Sequence, residues 1–91
     1  MVAYDPKQNY VLVKIMLTHT KVFVIETIDG SPFCFHTIGF PNNLVNALGI
    51  AMQMMIDHEA YWIEVTKWGK TVAIVKNEDE ALDALFQSCK W

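Results

Sequence analysis

The sequence predicts an α+β domain: an antiparallel sheet of about five strands, with helices packed on one face. Three observations carry that expectation. Several stretches alternate or cluster β-branched residues between short turns, Asp29-Gly30 stands between two such stretches, and two segments with helical spacing follow strands rather than alternate with each of them.

Residues 1–9 read as a loose N-terminal segment ahead of the first strand. Across Tyr10–Leu17, Val11, Val13, Ile15 and Leu17 share one face, and Tyr10, Leu12, Lys14 and Met16 the other. Thr18-His19-Thr20 turns the chain into a second strand, Lys21–Ile28, rich in β-branched residues. Asp29-Gly30 supplies the positive φ angles of a two-residue hairpin turn. That turn fixes a register: Ile28 opposite Ser31, Glu26 opposite Phe33, Val24 opposite Phe35 and Val22 opposite Thr37. Ile25 then meets Cys34, and Phe23 meets His36. Pro32 has no N–H to donate, which places that end of the third strand at an edge.

Gly39-Phe40-Pro41 stops the strand and starts a helix read from Asn42 to His58. Its polar residues Asn42, Asn46, Gln53 and Asp57 fall with Gly49 on one narrow stripe, at i, i+4, i+7, i+11 and i+15. The rest is apolar. A surface helix ordinarily buries one stripe and wets the other side, and this one reverses the proportion. A chain of this size buries only roughly 60–65% of its surface, too little interior for such a helix. A second subunit is the expected cover, with a dimer as the default on symmetry frequency.

A second hairpin, Tyr61–Lys67 and Lys70–Lys76, turns at Trp68-Gly69. Asn77 caps the last helix, with Glu80 three residues on as a loose capping box. Glu78, Asp79 and Glu80 complement the helix dipole. Ala81, Leu82, Leu85, Phe86 and Cys89 give it one apolar stripe. The expected order is β-β-β-α-β-β-α within one domain spanning residues 1–91.

Composition narrows the function. The chain is 53% hydrophobic and 19% charged, which excludes disorder as its resting state. No apolar run approaches the roughly 18 residues of a membrane span. The first residues lack a signal-peptide pattern, so the expected location is the cytoplasm, with Cys34 and Cys89 as buried, reduced thiols. All seven basic residues are lysine and the net charge is -3. That balance argues against nucleic acid, whose binding rests on phosphate neutralisation.

Several residue sets invite chemistry, each beside a plainer role. Cys34 and His36, two apart on a strand, resemble a nucleophile and its base, but among Phe33, Phe35 and Ile38 they read as a packed thiol and a hydrogen-bonded ring. His19, His36, His58, Cys34 and Cys89 match no metal-ligand spacing. The acidic run Glu78, Asp79, Glu80 and Asp83 lacks a calcium loop and reads as a helix start. Asn42 and Asn43 stand where a small ligand could be held, and are equally ordinary helix caps.

The sequence therefore predicts no catalytic residue, no metal and no cofactor. It predicts a small acidic binding protein that acts by stoichiometric association as a homo-oligomer. By analogy, inhibitors and adaptors encoded by viruses and mobile elements have this character. Trp68, Met54 and Met55 are the expected interface residues, with itself and a further protein as partners. The alternative is an oligomer that binds a small molecule, such as a nucleotide, in a pocket between subunits using Asn42 and Asn43.

Overall fold

The computed structural model describes residues 9–17, 19–28, 31–38 and 43–91, with 27–28 and 31–38 given as backbone and pairing. The elements run β1 (Tyr10–Ile15), β2 (Thr20–Ile28), β3 (Ser31–Ile38), α1 (Leu44–Asp57), β4 (Ile63–Lys67), β5 (Lys70–Val75) and α2 (Glu78–Gln87), closed by a 3-10 turn at Ser88–Lys90. The expected turn residues Thr18, Asp29 and Gly30, the helix entry 39–42 and residues 1–8 lie outside the described residues.

The α+β class holds. The wholly antiparallel sheet does not. The strands lie in the order β3-β2-β1-β4-β5, and the central pair β1 and β4 is parallel, with Val11 beside Ile63 and Val13 beside Val65. The reason is one of parity. β2 runs against β1 and β3 against β2, so β3 again points along β1. The α1 segment then carries the chain across two strands to the free side of β1. A helix-containing crossover of this length is the kind of connection parallel strands need.

Two bulges also escape local pattern reading. The β2–β3 pairing begins as the turn dictates, with Ile28 opposite Ser31, Glu26 opposite Phe33 and Ile25 opposite Cys34. Between Ile25 and Val24 it shifts, so Val24 meets His36, Phe23 meets Thr37 and Val22 meets Ile38. Phe35 is the extra residue. Each such insertion moves the rest of the strand by one position. The β4–β5 pairing shifts likewise between Val65 and Thr66, with Val72 left over.

Val11, Val13, Val22, Ile63, Val65 and Val75 turn one face of the sheet toward the helices and are fully buried. Against them sit Ala47, Leu48 and Ala51 of α1 and Ala81 and Ala84 of α2. Alanines at the contact let both helices lie close to the sheet. On β1 the alternate residues point the other way. There Tyr10 stacks on Trp62, with ring centroids 5.2 Å apart and planes 7° from parallel, and Trp62 is 2% exposed.

The helix ends are set locally. Asn43 Oδ1 accepts from Asn46 N at 2.8 Å and starts α1. At its C-terminus Ala60 N donates to Met55 O and Glu59 N to Ile56 O, the paired bonds of a Schellman cap. Glu59 takes the left-handed position, φ 54°, usually left to glycine. His58 Nδ1 lies 3.7 Å from Glu26 Oε1 and ties that end to β2. Asn77 Oδ1 accepts from Glu80 N to start α2. Glu80 Oε1 in turn accepts from Lys76 N rather than from the Asn77 N–H of a standard capping box.

Candidate functional site

The two helices bring more apolar surface than one sheet face accepts. Val45 and Ile56 of α1 and Leu82 and Phe86 of α2 are large apolar residues left in water, from 56% exposed at Leu82 to 79% at Phe86. Val45, Leu48, Gly49 and Met52 form one wall of a groove, and Ala81, Leu82, Leu85 and Glu78 the other. Its volume is about 260 Å³, and Glu78 is its charged residue.

The phase of each helix explains the groove. In α1 the residues turned inward are Ala47, Leu48 and Ala51, with Leu44, Met54 and Met55 half-buried beside them. Val45, Gly49, Met52 and Ile56 recur at i, i+4, i+7 and i+11, and so form a second apolar stripe beside the wet one. The wet stripe keeps Asn46, Gln53 and Asp57, with Gln53 Nε2 donating to Asp57 Oδ1 at 2.9 Å. In α2 the alanines face the sheet, Leu85 is half-buried, and Leu82 and Phe86 stand outward. The single α2 stripe expected from sequence is thus two. Its inner half is small and its outer half is large.

Met54 and Met55 were expected at an interface. Both are half-buried and pack against the chain's own core. Sequence reasoning missed Val45, Ile56, Leu82 and Phe86 as surface residues. The signal was present in the width of the apolar arc on both helices, which exceeds what one contact can cover.

The β4–β5 turn is the second feature. Lys67 pairs with Lys70 across Trp68-Gly69, whose φ angles are 56° and 80°. Two positive values in a two-residue loop make a type I′ turn. Gly69 meets that demand freely, whereas a tryptophan there costs about 1 kcal/mol or more. Trp68 is 63% exposed and does not fold back over its own sheet to hide. Lys67 Nζ donates to the Trp91 carbonyl at 3.1 Å, which steadies the base of the hairpin.

The remaining candidates separate. Asn43 lines a cleft of about 290 Å³ with His19, Thr20 and Leu44. Its side-chain oxygen is already engaged as the helix cap. Asn42 lies outside the described residues. Cys34 and His36 pair in the backbone register with Ile25 and Val24, adjacent residues of β2, with Phe35 the extra residue between them. Their side chains lie outside the described residues. Cys89, expected to be buried, is exposed, because α2 ends at Gln87 and Cys89 falls on the terminal 3-10 turn beyond it. Among the described residues no three His, Cys, Asp or Glu side chains are grouped to hold a metal, and no helix is long and apolar enough to cross a membrane.

No protein-family model, curated protein or solved structure matches the chain.

Proposed function

We propose that this chain is a small, non-enzymatic binding protein that acts in the cytoplasm by stoichiometric association, as a homo-oligomer and, through it, on a further protein. The observation that carries the reading is the row of large apolar residues on the outer side of the helix layer. Val45, Ile56, Leu82 and Phe86 are left 56–79% exposed in the isolated chain. Each would contribute about 1.5–3 kcal/mol if fully buried. Val45 and Leu82 stand on the two walls of one apolar groove, and an exposed apolar patch marks an association site. Action as an inhibitor or adaptor is the use of such a surface that asks for no chemistry from the chain itself.

Light scattering after size exclusion tests this directly. At micromolar concentration the mass should be at least twice the 10.4 kDa of one chain. A clean monomer would overturn the homo-oligomer. The rival, a small molecule held between subunits, draws on the cleft beside Asn43. A nucleotide that raises the melting temperature at fixed protein concentration, and loses that effect in Asn43→Ser, which keeps a capping oxygen, would favour it instead.

A further inference from the structure

We propose that the groove between α1 and α2 is the seat for Trp68 of a second copy of this chain, so that two copies exchange hairpin tips reciprocally. The inference rests on the homo-oligomer reading and gives it a geometry.

Trp68 is held outward at a left-handed φ that asparagine or glycine would adopt more easily. The turn does not need it. A side chain kept in an unfavourable conformation and in water calls for a use outside the fold. Tryptophan is also the residue most enriched among those that dominate binding energy.

The groove suits it. Its walls are Val45, Leu48, Gly49 and Met52 on one side and Ala81, Leu82 and Leu85 on the other. Its volume, about 260 Å³, has room for one large side chain. Gly49 leaves the α1 wall open, since a Cβ there would meet nothing within 4 Å.

Charge selects the second copy as the occupant. The carboxylate on the groove is Glu78, at the acidic start of α2. The tip carries Lys67 and Lys70 on either side of Trp68-Gly69, and Lys70 is exposed. Lys67 already donates to the Trp91 carbonyl, so Lys70 is the exposed cation the tip would offer to Glu78. Such complementarity fixes orientation and excludes wrong partners. Tip and groove are different surfaces of one chain, and in the reciprocal exchange a twofold axis repeats the contact twice and closes the assembly as a dimer.

The test uses two variants of the full chain and their mixture. Trp68→Asn keeps a residue that tolerates the left-handed turn while removing the indole. Leu82→Lys places a cation on the groove wall, at an exposed position the fold does not need. Sedimentation equilibrium should show each variant associating at least about tenfold more weakly than the parent chain. A one-to-one mixture should recover heterodimer, because one intact tip then meets one intact groove. Thermal unfolding by circular dichroism checks that both variants fold. If Leu82→Lys does not, Gly49→Leu fills the groove from the other wall. A parent dimer that neither variant weakens would overturn this inference and leave the homo-oligomer standing. Variants that each dissociate yet show no recovery on mixing would also overturn it. A parent chain that is itself monomeric would remove both readings together.

Discussion

The two sides of the helix layer carry residues of one chemistry and two sizes. The fully buried helix residues are mostly alanine: Ala47, Ala51, Ala81 and Ala84, with Leu48, while Leu44, Met54, Met55 and Leu85 pack half-buried beside them. The side toward water holds Val45, Ile56, Leu82 and Phe86. Hydrophobicity alone would rank these the other way, since burial of a large side chain gains more than burial of a methyl group. Packing decides otherwise. The sheet already presents a dense row of valines and isoleucine, and close-packed interiors accept only what fits the remaining space. The outer residues were therefore left with apolar surface that the monomer does not use. A wide apolar arc on a helix is thus divided in two, one part taken up by the fold and one left in water.

The comparison breaks most sharply at Ala51. Ala51→Glu places an unpaired carboxylate where α1 meets the sheet, at a cost of more than about 4 kcal/mol. The expected result is loss of the cooperative unfolding transition by circular dichroism. A variant that melts like the parent would mean that α1 is rotated from the phase described.

A matched pair of truncations gives the next effect. Leu48→Ala should cost about 2–4 kcal/mol in urea unfolding, through lost burial and the cavity left behind. Ile56→Ala should change the stability of the dissociated chain by less than about 0.5 kcal/mol, since its side chain stands in water. Equal effects at the two positions would erase the distinction between inner and outer sides.

The smallest effect sharpens the picture of the open wall. Gly49 sits in the middle of α1, exposed, with free space where a Cβ would lie. Gly49→Ala should stabilise the isolated chain by about 0.5–1 kcal/mol, by raising helix propensity without a clash. A loss of stability instead would show that the groove wall is crowded.

The legible parts of this fold are those fixed within a few residues. The Asn77 cap with Glu80, the turn at Trp68-Gly69 and the alternation of Tyr10–Ile15 each follow from short-range sterics or hydrogen bonding. The β2–β3 register was legible from its turn as far as Cys34. It failed one residue later, because a bulge at Phe35 leaves no mark in the alternation of a strand apolar on both faces. Of the candidate site, Trp68 stood out as a residue its turn did not require, while the groove stayed hidden. Its walls come from α1 and α2, whose phases depend on what each helix meets.

The sequence alone determined the α+β class, the start of α2, the two-residue hairpin loops and a surplus of apolar residues. Only the tertiary structure decided that β4 lies parallel beside β1, and which apolar stripe of each helix turns inward. Those choices depend on space and on partners distant in the chain, so no local pattern encodes them. The alanines face the sheet because they fit, and Val45 and Leu82 beside them are left on the groove walls.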